Sequence, residues 1–246
     1  MFETLRTARA VLRSLRVYYG HRERHTAMDD LYRQFVQPGD LVFDVGSHVG
    51  DRVGAFRRLG AKVVAVEPQP ALALTLSAIY GRDKSVILER KAVGRTAGEI
   101  TLQVNIDNPT VTTASDAFVK AADGAAGWEG QRWGKSIRVP MTTLDALIAT
   151  HGRPAFIKID VEGFEAEALA GLTQPVKALS FEFTTIQRDV AQACIARAVV
   201  LGYKRFNAAL GESQELGAWR SEAEISRWLA DLLHSANSGD IYARLD

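Results

Sequence analysis

The sequence predicts an α/β fold in which a mainly parallel β-sheet is covered by helices on both faces. Short, nearly continuous apolar runs recur along the chain, as is typical of strands that are buried on both sides. Stretches with helical spacing separate these runs, which is the order that parallel strands require. The chain has 246 residues, of which 47% are hydrophobic and 24% charged, so it is long enough to bury the core of such a fold.

The first 37 residues differ from the rest and predict a helical extension ahead of a main domain at 38–246. Four arginines recur at helical spacing, at Arg6, Arg9, Arg13 and Arg16. Beside them runs an apolar stripe of Leu5, Ala8, Leu12 and Leu15. One interpretation is a helix packed on the main domain with a solvated arginine face. The other is a weak contact with acidic lipid headgroups or with a partner protein.

After the turn at Pro38, strand and helix patterns alternate. The strand candidates are the short apolar runs Leu41–Val45, Lys62–Val66, Ser85–Leu88, Ile100–Val104, Phe156–Asp160, Ala178–Phe183, Tyr203–Phe206 and Ile241–Leu245. The helix candidates have helical apolar spacing and are Asp51–Leu59, Gln69–Tyr80, Glu165–Leu172, Gln187–Leu201 and Ser221–His234. The glycine-rich segment 105–136 interrupts this alternation, and we expect an irregular loop there that covers the site.

The turn after the first predicted strand, Asp44–Gly50, combines an acidic residue with two glycines. Gly46 and Gly50 let the backbone take a left-handed conformation and approach a ligand closely. The run is neither a G-x-G-x-x-G motif nor a P-loop, and the carboxylate of Asp44 would repel a phosphate. The loop therefore favours a ligand that carries an amine or a positive charge.

A second acidic residue, Glu67, follows the second predicted strand, 23 residues after Asp44. A carboxylate at this distance is placed to accept hydrogen bonds from both hydroxyls of a ribose. Pro68 then begins the next helix, and Ala92 follows the third predicted strand, where it would line a base pocket. These residues predict a bound nucleoside without a phosphate site, a description that S-adenosylmethionine (SAM) meets.

Three segments resemble the FkbM family of SAM-dependent methyltransferases: Asp44–Gly50, Glu67–Pro68 and Lys158–Glu165. The resemblance implies a class I methyltransferase fold with seven strands, the last of them antiparallel. Ile241–Leu245 would then pair with Tyr203–Phe206. It also implies transfer of a methyl group to a hydroxyl of a sugar or of another small molecule, such as a natural product.

The resemblance implies a cofactor site at the loop after the first strand, the end of the second strand and the later acidic motif. The residues expected there are Asp44, Gly46, Ser47, His48, Gly50, Glu67, Pro68, Ala92, Asp160 and Glu162. Two positions depart from the residues usual in the family. His48 stands where asparagine is usual, and Val53 stands where threonine is frequent. Both departures concern the binding of the methionine end of the cofactor.

Asp160, Glu182 and His48 are the candidate catalytic residues. Asp160 ends a buried strand, and Glu182 lies inside an apolar run, where an acid needs a partner or a ligand. A hydroxyl acceptor must lose a proton during methyl transfer, and any of the three side chains would accept it as a base. A divalent cation such as Mg²⁺, held by Asp160, Glu162 and Glu182, is a second way to activate the hydroxyl, although no spacing motif indicates one.

The composition limits the partners that are expected. The 30 Lys+Arg and 29 Asp+Glu residues nearly balance, so nucleic acid is not expected as a partner. We find no apolar run long enough to span a membrane and no signal-peptide pattern, and Cys194 stands alone, so we expect a cytoplasmic protein. A homo-oligomer is left open. Contacts with the acceptor should come from 105–135 and the N-terminal extension.

Three other functions stay open at this point. A nicotinamide-dependent oxidoreductase is disfavoured by the missing third glycine and by the acids around the loop. A methyltransferase acting on RNA or protein would be favoured by salt-dependent RNA binding to Arg6–Arg24. A binding module without catalysis would follow if the departures at His48 and Val53 have destroyed the cofactor site.

Overall fold

The computed structural model describes residues 2–20 and 22–246, and in them the chain forms ten β-strands, nine α-helices and two short 3-10 helices. The strands are β1 (Leu41–Val45), β2 (Lys62–Val66), β3 (Val86–Glu89), β4 (Ala92–Val93), β5 (Gly98–Val104), β6 (Lys135–Thr142), β7 (Phe156–Ile159), β8 (Ala178–Thr184), β9 (Arg205–Leu210) and β10 (Ser238–Arg244). The α-helices are α1 (Phe2–Tyr19), α2 (Arg22–Tyr32), α3 (Asp51–Arg58), α4 (Pro70–Tyr80), α5 (Asp116–Ala122), α6 (Leu144–His151), α7 (Glu165–Ala170), α8 (Arg188–Val200) and α9 (Glu222–Asp231). The 3-10 helices are Pro109–Val111 and His234–Ala236.

Seven strands form the central sheet in the order β3-β2-β1-β7-β8-β10-β9. The strands from β3 to β8 pair in parallel, whereas β10 is antiparallel to both of its neighbours, β8 and β9. This arrangement confirms the predicted fold class, including the antiparallel pairing of the last strand with β9. The carboxyl ends of the parallel strands meet at one edge of the sheet, which is where ligands bind in open α/β sheets.

The segment 98–142 departs from the expected pattern. A second sheet forms there with the order β4-β6-β5, and β6 is not indicated by the sequence because many of its side chains are exposed and Pro140 interrupts it. The expectation of an irregular loop over 105–136 is wrong in part. The loop contains a 3-10 helix and α5, and a small core of Phe118, Trp128 and Val111 holds it together.

The two faces of the central sheet differ in composition. The face that packs against α6–α9, called the apolar face here, carries Phe43, Val45, Val64, Val66, Ile157, Ile159, Leu179, Phe181, Phe183, Phe206, Ala208, Ile241 and Ala243. The face covered by α2 and α3, called the polar face, carries apolar residues near the amino ends of its central strands. Further along those strands it carries Asp44, Lys158, Ser180, Glu182 and Asp240, which the register places side by side.

The N-terminal helices pack on the domain in an unexpected way. Residues of α2 are part of the core, since Met28 and Tyr32 are fully buried against the polar face. Helix α1 packs through the small residues Ala10 and Ser14 and not through the leucine stripe, because Leu12 is 64% exposed. None of the described helices is long and apolar enough to cross a membrane.

Candidate active site

A cleft lies at the carboxyl edge of the parallel strands and encloses about 860 Å³ of empty space, counting its open mouth. Segments from five parts of the chain line it: α1, the β1–α3 loop, the β2–α4 turn, the second sheet with its loop, and the β7–α7 turn. Glu212, which follows β9, completes the wall.

The loop after β1 lies against the end of β7. Gly46 has a φ of 86°, and a Cβ atom there would lie 1.7 Å from the carbonyl oxygen of Asp160. Gly50 has a φ of 87°, and a Cβ there would lie 2.6 Å from the ring of Tyr80. Only glycine fits either position, because both the left-handed backbone and the missing space exclude a side chain. His48 between them also has a positive φ, of 49°.

Glu67 is fixed at one end of the cleft by two backbone amides. The N–H of His48 donates to one carboxylate oxygen at 3.0 Å, and the N–H of Gln69 donates to the other at 2.8 Å. Burial raises the pKa of Glu67 to about 8, although both hydrogen bonds act in the opposite direction. Each oxygen keeps a lone pair for a ligand, so this carboxyl group can still accept two hydroxyls.

The surroundings of Glu67 are largely apolar. The side chains that share this end of the cleft include Val45, Val66, Pro68, Ala92, Val93, Leu102 and Phe164. Lys91 also lines it, but its ammonium group is paired with Glu89 at 2.9 Å. The apolar surroundings suit a flat heterocycle attached to a sugar. Among the described residues that line this end, no unpaired cation is available to bind a phosphate.

Three carboxylates meet at the other end of the cleft. Asp160, Glu162 and Glu182 each place one oxygen atom within 4.8 Å of the others. Glu162 has a φ of 55°, which is uncommon for a residue with a side chain, and Gly163 follows with a φ of 85°. The two left-handed residues form a tight turn after β7, and Glu162 lines the cleft while only 7% exposed.

The ionisation of these three acids differs because Lys158 contacts only one of them. Lys158, which is 1% exposed, donates a hydrogen bond to Asp160. Burial acts to raise the pKa of Asp160, but the charge and hydrogen bond of Lys158 outweigh it and lower that pKa. Burial and then the charge of Asp160 raise the pKa of Glu162 and of Glu182 well above the usual value. Asp160 therefore ionises first in this cluster, and Glu162 and Glu182 keep their protons to higher pH than ordinary glutamates do.

His48 lies in the wall between the two ends. Its ring packs edge-on against Tyr18, with the ring centres 5.2 Å apart, and Nε2 lies 3.3 Å from the hydroxyl of Thr110. Burial lowers the pKa of His48, so its imidazole is neutral at pH 7. A neutral ring can accept or donate a hydrogen bond in the cleft.

Residues far apart in the chain close the cleft above the acids. Arg52 of α3 donates to Asp51 and to Glu212, both at 2.7 Å, and Arg24 of α2 donates to Glu212 at 2.8 Å. The guanidinium of Arg24 also stacks on Tyr18, 4.8 Å from the ring centre. At the other end of α1, Arg6 and Arg13 bind Asp107 of the insertion. These contacts form a roof over the cleft, built by α1, α2, the insertion and Glu212.

Comparisons with known proteins agree with this architecture. The family model described as the methyltransferase FkbM domain matches residues 44–217, well over half of the chain. The chain belongs to the FkbM methyltransferase family. No curated protein matches it in a sequence search.

Several solved structures are similar to this FkbM chain at low sequence identity. A TehB-like SAM-dependent methyltransferase from Corynebacterium glutamicum is 12% identical, with a TM-score of 0.45 over 89% of this chain and 86% of that one. Precorrin-6y C5,15-methyltransferase from Geobacter metallireducens is 11% identical, with a TM-score of 0.44 over 90% and 87%. A SAM-dependent O-methyltransferase from Thermotoga maritima is 11% identical, with a TM-score of 0.42 over 91% and 65%.

Most residues expected to bind the cofactor of this FkbM protein line the cleft. These are Gly46, Ser47, His48, Glu67, Pro68, Ala92, Asp160 and Glu162. The structure does not bring Asp44, Gly50 or Glu182 to the cleft wall. Asp44 lies below the loop on the polar face, Gly50 packs against α4, and Glu182 lies beside Asp160.

Sequence reasoning missed several residues of this FkbM site, among them Tyr18, Arg52, Lys158 and Glu212. Lys158 stands in the quoted acidic motif, but its position two residues before Asp160 in a strand was the only signal of their contact. Tyr18 lies in the N-terminal extension, which was expected to contact the acceptor, but no pattern singled it out. Arg52 and Glu212 had no signal, because tertiary packing brings them together from distant segments.

Proposed function

We propose that the protein transfers a methyl group from SAM to a hydroxyl of a small, polyhydroxylated acceptor such as a sugar. The observation that carries the proposal is the asymmetry of one continuous cleft. One end is apolar and anchored by the amide-held Glu67, whereas the other is lined by charged and polar groups around Asp160. Such a cleft suits an adenosyl group at the first end and hydroxyl groups at the second.

The residues at the first end would hold the cofactor. Glu67 would accept hydrogen bonds from the ribose hydroxyls, and the apolar side chains around Ala92 would contact the adenine. Gly46 leaves the loop backbone bare where the methionine end would approach. When bound, SAM supplies a methyl group on a positively charged sulfur, which a hydroxyl oxygen can attack.

Asp160 is the proposed catalytic base. Lys158 keeps it ionised, so it can accept the hydroxyl proton as the acceptor oxygen becomes a nucleophile. The raised pKa values of Glu162 and Glu182 favour their protonated forms, in which Glu162 can donate a hydrogen bond to another acceptor oxygen and Glu182 can donate one to Asp160. The three acids could also hold a divalent cation, but the ammonium of Lys158 already neutralises Asp160, and the proposed mechanism requires no metal.

The acceptor end favours a hydrophilic small molecule. Tyr18 and His48 offer ring faces or edges, and the other side chains there are charged or acidic: Asp51, Arg52, Asp160, Glu162 and Glu212. Most of these groups bind one another or Lys158 and keep further capacity for hydrogen bonds, which the hydroxyls of a sugar can use and a hydrophobic natural product cannot. Helix α1 and the insertion also cover part of the cleft, which hinders the entry of a polymeric acceptor.

The first experiment measures cofactor binding by calorimetric titration with SAM and with S-adenosylhomocysteine. We expect binding by the unaltered protein and a loss of at least about tenfold in Glu67→Gln, since the amide cannot accept from every donor that the carboxylate accepts from. Glu167→Gln, at an exposed acid paired with Arg95, is the matched control and should bind normally. No binding by the folded, unaltered protein would refute the cofactor assignment.

The second experiment measures methyl transfer to a panel of sugars, phenols and RNA. We expect turnover on sugars alone. Asp160→Asn should bind SAM but lose at least about a hundredfold in kcat, because base catalysis contributes about 10²–10⁴-fold. If Asp160→Asn keeps its activity, Asp160 is not the base. If a metal chelator abolishes the activity of the unaltered protein, a bound metal and not Asp160 activates the hydroxyl.

A further inference from the structure

Helix α1 presents leucines and arginines together to solvent. Leu5 is 53% exposed and Leu12 is 64% exposed, and their spacing of seven residues puts them on the same side of the helix. Arg9 and Arg16 follow each leucine by four residues, so they lie on that side too and are also exposed. The surface therefore combines apolar and basic side chains in alternate turns.

Packing within the protein does not explain this face. The opposite side of α1, at Ala10 and Ser14, makes the contacts with the domain. Two of the helix's arginines, Arg6 and Arg13, are occupied with Asp107. Among the described residues, neither Arg9 nor Arg16 forms a hydrogen bond or an ion pair, so neither contributes to that contact. Leucine side chains in water add nothing to the stability of the fold, so this side of the helix is not arranged for stability.

Helix α4 lies beside α1 and also exposes apolar side chains. The hydroxyls of Tyr19 and Tyr80 lie 2.9 Å apart and join the carboxyl ends of the two helices. Helix α4 contains no charged residue, and it exposes Leu74 by 63% and Ile79 by 42%. Residues 5–19 and 70–80 contain no acidic side chain, so no acid within these two ranges offsets the charges of Arg9 and Arg16.

We propose that the α1–α4 surface, defined by Leu5, Arg9, Leu12, Arg16 and Leu74, binds to an anionic lipid membrane. A helix with leucines beside arginines can lie in the plane of the headgroups, with its apolar side chains among the acyl chains and its guanidinium groups on the phosphates. Charge selects this occupant, because the arginines complement a negative surface and would repel the same face of a second copy. The inference does not depend on methyl transfer.

The first test places an environment-sensitive fluorophore in the surface. Cys194 is the only native cysteine and is fully buried, so a label added to Leu12→Cys is specific. We expect its emission to shift to shorter wavelength with vesicles of equal parts phosphatidylcholine and phosphatidylglycerol, and not with phosphatidylcholine alone. The same label at Lys204→Cys, an exposed position at the opposite edge of the sheet, should not respond.

The second test reverses charges and measures co-sedimentation with the anionic vesicles. Arg9→Glu with Arg16→Glu should reduce the bound fraction at least about tenfold, since each basic residue near an anionic surface adds several-fold to binding. Lys204→Glu with Arg205→Glu makes the same change in net charge at the other edge and should bind as the unaltered protein does. Circular dichroism should show that both double variants fold, because all four residues are exposed.

Three results would overturn the proposal. The first is that the unaltered protein does not sediment with anionic vesicles at low salt. The second is that both double variants lose the same share of the vesicle-bound fraction. The third is a fluorescence shift at Leu12→Cys that rises with protein concentration in the absence of vesicles, together with a doubled mass in solution. That result would show that a second copy of the chain covers this surface.

Discussion

The two faces of the central sheet have the same strands and the same register but opposite compositions. On the apolar face, side chains such as Phe181 and Ile159 form one continuous core with α6–α9. On the polar face, the neighbouring positions in the same strands carry Lys158, Ser180 and Glu182. These side chains are ionisable or carry a hydroxyl, although helices also cover this face. The comparison indicates a division of labour, in which the apolar face stabilises the fold and the polar face positions charge beneath the cleft.

Polar groups on the polar face are not fully paired within the protein. Ser180 Oγ and Asp240 Oδ1 are buried without a hydrogen-bond partner among the described residues. Asp240 pairs directly across from Glu182, so two acids lie side by side. Arrangements of this kind decrease stability, and such sites tend to serve function. The following predictions test the comparison in order of decreasing effect on unfolding.

Phe181→Ala removes a fully buried ring from the apolar face. We expect the free energy of unfolding to fall by about 4 kcal/mol, because the ring's burial is lost and a cavity stays behind. Urea unfolding at pH 5 and pH 7 measures it, and the loss should be the same at both. A loss that depends on pH would contradict the view that this face contains no ionisable group of importance.

Lys158→Met removes the buried cation of the polar face. Asp160 would keep its burial and lose its partner, so we expect a loss of about 3 kcal/mol at pH 7. At pH 5 the loss should be smaller, because an acid without its cation protonates more readily. Arg95→Met, which breaks the exposed pair with Glu167, is the control and should cost less than about 1 kcal/mol. Equal losses of unfolding free energy in both variants would refute the distinction between the buried pair of the polar face and an exposed pair.

The protein without ligand should lose stability as the pH rises from 5 to 8.5. Burial raises the pKa of Glu67 to about 8 and that of Glu165 to about 7. The folded state therefore keeps protons over a range where the unfolded chain has released them, and stability is greatest below the unfolded pKa values. Between pH 5 and pH 6.5, we expect Glu67→Gln to reduce the decrease by about 2 kcal/mol. Over that interval the unfolded carboxyl group is ionised and the folded one is not, and each pH unit then corresponds to about 1.4 kcal/mol.

The quantity compared in this pH series is the slope of the free energy of unfolding against pH, and not its value at any one pH. Glu67→Gln also loses one backbone hydrogen bond, which lowers stability equally at every pH. Glu222→Gln, at an exposed acid in the first turn of α9, should leave the slope unchanged. Urea unfolding across the pH range measures all three proteins. A slope that is the same in Glu67→Gln and the unaltered protein would contradict the prediction.

Ser180→Ala should have the smallest effect. The hydroxyl of Ser180 is fully buried and unpartnered, so its removal deletes a group without deleting a hydrogen bond. We expect a change between zero and about 1 kcal/mol of added stability. Ser221→Ala is the matched control, since that serine caps α9, and it should cost about 1 kcal/mol. A large loss in Ser180→Ala would show that the polar face contributes to stability through this hydroxyl.

The sequence predicted best what depends on local pattern. The strands of the apolar face, such as β7 and β8, are continuous apolar runs, and the spacing from Asp44 to Glu67 placed the acid at the end of β2. The sequence could not predict β6, whose exposed side chains lack a clear apolar run. It also could not predict that Tyr18 and Glu212 both line the cleft, because their positions depend on how the outer segments pack.

The position of β10 has a consequence for the order of assembly during synthesis. This strand lies between β8 and β9, although β9 comes earlier in the chain. While the ribosome is still making residues after 237, β8 presents an open edge and β9 has no strand to pair with. An unpaired edge invites association with other chains. The sheet can therefore close only after β10 has emerged, so a nascent chain halted before that point would be prone to aggregation.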